Sequence, residues 1–408
     1  MILKSRFVVP VGEPVIQHGA IRIHNGRIVE VGRAADISGD ASIDYADAVI
    51  CPAFVNAHTH LELSNLHGRV PPSPDFTDWL RRLVEAKSVE PPTKEQIQSA
   101  VEEGIEQSLA AGVTTVGDIT HVPAWTRESL AQSAIRAVSY GEVIAIGTRR
   151  NLLDQRLSAA ADRSWETARL RIGISPHAPY TVEPDGLRAC AERAAEQKAP
   201  LCMHLAETAD EERFTGERTG TLADYLRDLG VWDDAIPLAG CGPTELADRT
   251  GVLGATTVVA HANYVSDGDI TLLAKSGASV AYCPRTHDAF GHPRHRFRDM
   301  LQAGVNVCVG TDSLASNPSL SVLDELRFLR RARPDVAAEE LLAMGTLHGA
   351  RGLGFADEIG SITIGKLADL AVIPLGSGVE EPRWDRMLDN NTAPIAVYIS
   401  GIRRRSAG

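Results

Sequence analysis

His58 and His60 stand one residue apart at the end of the segment Phe54-Val55-Asn56-Ala57-His58-Thr59-His60. In an extended chain residues i and i+2 face the same way, so two imidazoles can aim at one point. Neutral imidazole is a good ligand for zinc and iron, and a shared divalent ion is the natural chemistry of such a pair. Further along come His177 in Ser175-Pro176-His177-Ala178-Pro179-Tyr180 and His204 with Glu207 in Met203-His204-Leu205-Ala206-Glu207. His261 follows in Val258-Val259-Ala260-His261-Ala262, and Asp312 in Cys308-Val309-Gly310-Thr311-Asp312-Ser313. Each of these polar residues follows an apolar run, a pattern that solvated surface does not explain.

Some scaffold must bring these distant residues together. Between about 53 and 350 the chain repeats strand, loop and helix. Glycines close helices just before strands, as in Ala111-Gly112-Val113, Ser276-Gly277-Ala278 and Ala303-Gly304-Val305. Eight strand candidates end near Asn56, Gly117, Glu142, Ser175, Leu205, His261, Cys283 and Gly310. Amphipathic helical stretches lie between them, such as 94–111 and 184–197. Eight such units predict an α/β fold, a (β/α)8 TIM-like barrel, whose chemistry sits at the C-terminal strand ends. The apolar run from Ala48 to Val55 reads as one buried strand leading to His58.

Residues 1–52 read as all-β. Ala20–His24 and Arg27–Val31 alternate around Asn25-Gly26, a two-residue hairpin turn. Past 350 the chain turns β again, with a hairpin expected over 360–373 and a short strand at Val397-Tyr398-Ile399. Short β segments at both ends cannot each hold a core, so 1–52 and 351–408 are expected to form one small flanking β-sandwich domain. Pro71-Pro72-Ser73-Pro74 and Pro91-Pro92 punctuate a long loop after the first strand that could cover the site.

Composition excludes several classes. Lys+Arg 41 against Asp+Glu 53 leaves a net charge of −12, which disfavours a phosphate backbone and hence a nucleic-acid partner. No apolar run is long enough to span a membrane, and the first residues lack a signal-peptide pattern. The six cysteines form no C-x-x-C pair, as suits reduced thiols in a cytoplasmic protein. His60-Leu61-Glu62 mimics the H-x-E of cytidine-type deaminases, but the P-C-x-x-C run of that class is missing.

Taken together these motifs resemble the amidohydrolase superfamily over nearly the whole chain. The resemblance rests on the H-x-H after strand one, the H-x-x-E after strand five, the His after strand six and the Asp after strand eight. It also rests on the Gly-Ser-Ile-x-x-Gly-Lys-x-Ala-Asp-Leu run from Gly360 to Leu370. Within the superfamily it points to the mononuclear aminohydrolases, which include nucleoside deaminases and triazine chlorohydrolases. None of Lys4, Lys87, Lys94, Lys198, Lys275 and Lys366 lies at an expected strand end, where binuclear members carry a bridging lysine.

The resemblance implies one divalent metal per chain, zinc first, with iron or manganese as alternatives. His58, His60, His204 and Asp312 would be its ligands, Glu207 the proton shuttle and His261 the electrophilic partner. Such an ion lowers the pKa of its water to about 7, so that hydroxide attacks the amino-bearing carbon and ammonia leaves. His177, Glu62, Arg285 and His292 are the expected substrate contacts, Glu62 toward a ribose hydroxyl; His121 reads as a plain loop histidine. The pieces from Asn56 to Glu62 and from His204 to Glu207 look most like aminodeoxyfutalosine deaminases, with adenosine-type deaminases as near neighbours. At strand seven the chain departs from that pattern, with Cys283-Pro284-Arg285-Thr286-His287 for Cys-Pro-x-Ser-Asn. The alternative is another hydrolase on a heterocycle: a guanine-type deaminase, a chlorohydrolase or a C–N amide hydrolase. The expected partner is a small heterocyclic substrate, with a homodimer as the other candidate association.

Overall fold

The computed structural model describes residues 1–39, 41–88, 92–376 and 383–404. Among these, two separate eight-stranded sheets make up the β structure. The larger one is the barrel. Its strands run Phe54–Thr59, Val113–Thr120, Arg136–Val143, Leu170–Pro176, Leu201–Leu205, Thr257–His261, Ser279–Tyr282 and Asn306–Val309. Neighbours pair in parallel and in sequence order. Almost every strand is buried along its whole length, as expected for parallel strands covered by helices.

Strands eight and one meet at a seam held by Asn56. Its Oδ1 accepts the Thr311 N–H at 3.0 Å, and its Nδ2 donates to Thr311 Oγ1 at 2.7 Å. The N–H groups of Thr311 and Asp312 also point at the His58 carbonyl, each at 3.1 Å. Gly310 makes this approach possible. A Cβ there would lie 2.9 Å from both the Cβ and the carbonyl oxygen of His58 and 3.0 Å from the Cys283 sulfur. The seam therefore ties the two strands that carry His58, His60 and Asp312.

The flanking sheet draws on both ends of the chain. Its order is Ile402–Arg404, Ala396–Ile399, Leu370–Pro374, Ala48–Pro52, Ile2–Val8, Ile16–His24 and Arg27–Arg33, with Ser42–Asp44 also on Ile2–Val8. Ile21, Ile23 and Ile28 from one arm share a buried cluster with Leu370, Val372 and Tyr398 from the other, so the sheet curls over a core of its own. The hairpin at Asn25-Gly26 forms as read, with both residues at positive φ (48° and 76°).

Two expectations need correction. The run from Ala48 to Val55 is two strands in two sheets. Ala48–Pro52 pairs with Leu370–Pro374 in the flanking sheet, and Phe54–Thr59 opens the barrel. Ala53 joins them, its N–H on the Asp369 carbonyl at 2.9 Å. Both pieces are fully buried, so apolar continuity hides the change of sheet. The hairpin expected over 360–373 supplies only the strand Leu370–Pro374. The residues before it form turns gathered around Lys366, whose ammonium bonds the Ala356 and Ile359 carbonyls and Ser361 Oγ.

The proline-marked loop after strand one holds a helix, Phe76–Ser88, preceded by a short 3-10 turn, Leu61–Leu66. Pro91 lies outside the described residues. Among the described residues no helix is long and apolar enough to cross a membrane.

Candidate active site and metal centre

The C-terminal strand ends converge as the barrel requires. The His58 ring stands edge-on to those of His60, His204 and His261, with centroids 5.1, 5.0 and 5.1 Å away. His60 Nε2 and His204 Nε2 are 3.2 Å apart. Asp312 Oδ1 lies 3.5 Å from His58 Nε2 and 3.6 Å from His60 Nε2. Ligands of one tetrahedral ion with bonds of about 2.0–2.1 Å sit roughly 3.3 Å apart, so these spacings suit a single centre.

The chemistry of the donors agrees. His204 Nδ1 donates to the His177 carbonyl at 3.1 Å, which leaves the Nε2 lone pair facing the centre. Both ring nitrogens of His58 are buried without a hydrogen-bond partner among the described residues, as is His261 Nε2. Burial first, then the neighbouring histidines, hold His60 and His204 well below the usual imidazole range, in the neutral form a metal needs. The residues present therefore fit a divalent ion.

Backbone strain aims several of these groups. Ala206, His261, Ala262 and Asp312 have φ of 50°, 73°, 50° and 58°. Left-handed conformations cost non-glycine residues about 1–3 kcal/mol and persist where the surroundings enforce them. Here they turn the chain sharply at the ends of strands five, six and eight. Glu211 clamps the first of these turns, its carboxylate accepting the N–H groups of Ala206, Glu207 and Thr208 at 2.9, 2.7 and 3.3 Å. Sequence reasoning missed this residue.

The two acids of the centre are driven apart. Burial opposes ionisation of Asp312, but His58, His60 and the Ser316 hydroxyl, 2.5 Å from Oδ2, hold its carboxyl below the usual range. Burial and the charges of Asp312 and Glu211 push Glu207 well above it. Glu207 Oε1 lies 3.4 Å from His261 Nε2. A carboxylate beside His58 and His60 and a neutral acid facing His261 are the two states an acid–base pair requires.

A cavity of ≈ 70 Å³ at this centre adjoins a larger one of ≈ 390 Å³, both bordered by His121, Glu142 and His177. His177 lies tilted against His204 (4.8 Å between centroids), places Nδ1 2.7 Å from Thr181 Oγ1 and makes a T-shaped contact with Tyr180. Glu142 ends strand three, buried, with Oε2 2.6 Å from His121 Nδ1 and Oε1 3.6 Å from His177 Nε2. Burial opposes its charge, but His121 and His177 hold the carboxyl well below the ordinary range. Glu142 was read only as a strand end; the rule that barrel chemistry sits at such ends was the signal available. His121, read as a plain loop residue, stands on the same wall.

Three expected contacts are placed elsewhere. Glu62 turns inward, accepting the Thr120 hydroxyl at 2.6 Å and the His121 N–H at 3.2 Å. Arg285 bonds Ser319 Oγ at 2.9 Å and faces Glu325. His292 Nδ1 lies 3.1 Å from the Tyr264 hydroxyl. None of the three borders either cavity. From the segment after strand seven, Phe290 instead packs on Phe76 and Trp79 of the helix Phe76–Ser88, at 5.7 and 5.1 Å, beside the smaller cavity.

A model of the amidohydrolase family matches residues 49–402. The chain belongs to the amidohydrolase family. It is similar to a 5-methylthioadenosine/S-adenosylhomocysteine deaminase of Moorella thermoacetica, 29% identical over 391 residues and covering 92% of this chain and 86% of that one. A zinc-bound adenosine deaminase from Xanthomonas campestris superposes with a TM-score of 0.85 at 25% identity, covering 99% of this chain and 92% of that one. An aminofutalosine deaminase of Helicobacter pylori in complex with methylthio-coformycin also gives 0.85, at 24% identity and 99% coverage of each chain. The last shows a shared fold. Among amidohydrolases, then, this chain joins a metal-competent histidine–aspartate centre to a Glu142–His121–His177 wall.

Proposed function

We propose that this amidohydrolase is a metal-dependent hydrolytic deaminase of a 6-aminopurine nucleoside. The reading rests on one arrangement: the His58, His60, His204 and Asp312 set beside Glu207, an acid kept neutral by burial and facing His261. The names of its relatives support it. The cavity supports a substituent on the 5′ side. Apolar groups such as Leu83, Ile146 and Leu226 line it together with Lys87, Arg149 and Arg156, a setting for an apolar tail with an acidic end. 6-Aminodeoxyfutalosine is a substrate of that kind and is the first candidate, ahead of simpler adenosine derivatives. We take zinc as the native metal and the cytoplasm as the place of action; the cysteines among the described residues are all free.

A divalent ion held by the four ligands supplies Lewis acidity that makes water nucleophilic near neutral pH. Asp312 accepts a proton from the attacking water. Glu207 gives its proton to the ring nitrogen beside the amino-bearing carbon and helps ammonia leave. His261 faces the charge that develops on the attacking oxygen. His177 and Glu142 present acceptors to the rest of the nucleoside.

The test is ammonia release against 5′-substituted adenine nucleosides, adenosine, adenine, guanine and cytosine, with elemental analysis of the same protein. About one metal per chain with ammonia from an adenine nucleoside is expected. Bound metal with no ammonia from any of them would overturn the reading. Glu142→Gln removes a charge while keeping the shape. It is expected to lower kcat/KM for the nucleoside about ten- to hundredfold, chiefly through KM, the scale of a hydrogen bond to a charged group. An unchanged KM in steady-state kinetics would remove Glu142 from the binding wall.

A further inference from the structure

Arg163, Arg171, Lys198 and Arg351 border one cleft of ≈ 490 Å³. It lies at the N-terminal face of the barrel, where strands four, five and six begin, on the side away from the metal centre. A single carboxylate, Glu166, borders it, although the chain carries a net charge of −12. Glu166 is taken by Arg163, whose Nε lies 2.7 Å away. Arg171 is fixed on three sides: it donates to the Gly354 carbonyl at 2.7 Å, meets Glu358 at 3.1 Å and lies 3.8 Å over the Phe355 ring. Lys198 occupies the left-handed position that closes the helix Pro184–Gln197, with φ 52°. The side chains of Lys198 and Arg351 make no hydrogen bond or ion pair among the described residues.

Arg163 and Arg171 have carboxylate partners in Glu166 and Glu358, but the Lys198 and Arg351 side chains have none among the described residues, so an excess of positive charge is left on one concave surface. We propose that this cleft binds a small polyanion built on a phosphate or pyrophosphate group. Planar guanidinium groups suit the paired oxygens of phosphate, and the Lys198 ammonium adds a movable point charge. Leu353 lines the cleft and also belongs to the cluster that plugs the barrel beneath Tyr140 and Cys202, so the ligand would rest against the barrel core. The site is independent of the deaminase reading.

The experiment is calorimetric titration of inorganic pyrophosphate into the metal-loaded protein at about 0.1 M salt, where exposed charges are partly screened. One saturable site is expected. The double variant Lys198→Ala/Arg351→Ala should bind at least tenfold more weakly with its metal content unchanged. Arg249→Ala, which removes an exposed arginine paired with Glu245, should bind as the wild type does. ADP titrated in parallel tells a nucleotide from free pyrophosphate, and whichever binds tighter should lose that binding in the double variant. No saturable binding to the wild type would overturn the proposal. So would equal affinity in the double variant, which would place the anion at the metal centre.

Discussion

Glu207→Gln is expected to lower kcat by about 10²- to 10⁴-fold, the range that a positioned acid–base group contributes. Metal content and melting temperature should stay at wild-type values. The side chain is buried, its oxygen lies 3.4 Å from His261 Nε2, and burial with the charges of Asp312 and Glu211 raises its pKa well above the ordinary range. A neutral amide keeps that volume and that lack of charge, so the fold has little to lose. What it lacks is the proton to give to the ring nitrogen; the proton that turns the amino group into ammonia comes from the attacking water by way of Asp312. Single-turnover kinetics should show the loss in the chemical step with substrate affinity held. Near-normal turnover in this variant would assign the proton transfer to another group. Thermal denaturation run beside the kinetics separates a lost function from a lost fold.

Removing the metal should have the second large effect. Dialysis against a chelator is expected to abolish turnover, and one zinc per chain should restore it. The melting temperature should fall as well. Stripped of a cation, both nitrogens of His58 stay buried without partners among the described residues, and Asp312 faces a His60 imidazole held neutral by burial. An unsatisfied buried polar atom costs about 1–3 kcal/mol. A ligand at 1,000 times its Kd adds about 4 kcal/mol of stability to the native state. His58→Ala should resist reconstitution, because the ring lies within 5.1 Å of His60, His204 and His261 and has no replacement. Full activity in protein shown by elemental analysis to be metal-free would remove the basis of the mechanism. Iron or manganese restoring more activity than zinc would keep the site and change only the assigned metal.

The histidine–aspartate cluster was legible because His58, His60, His204 and Asp312 each follow an apolar run at the end of a barrel strand. A fully buried parallel strand leaves a continuous apolar signature, and a histidine or aspartate just beyond it has few structural reasons to be there. The Glu142–His121–His177 wall was harder to see. Glu142 ends its strand just as His261 does, yet a lone glutamate at a strand end is commonly solvated, and only its approach to His121 at 2.6 Å marks it. Arg285 and His292 were expected at the pocket because their segment follows strand seven. Ser319 and Tyr264 hold them instead, and neither partner is near in sequence.

By itself the sequence determined the eightfold strand–helix repeat, the hairpin at Asn25-Gly26 and the histidines and acids that stand at strand ends. These depend on local periodicity and turn chemistry, which act within a few residues. Tertiary structure decided the rest. The change of sheet at Ala53 is invisible in a run that is buried on both sides of it. The left-handed turns at His261 and Asp312 exist because the strand-end contacts and the Asn56–Thr311 seam enforce them. Glu62 is drawn beneath Thr120, away from the cavity, by partners 58 and 59 residues distant. Periodicity reports that a residue is buried; only the folded chain decides against what.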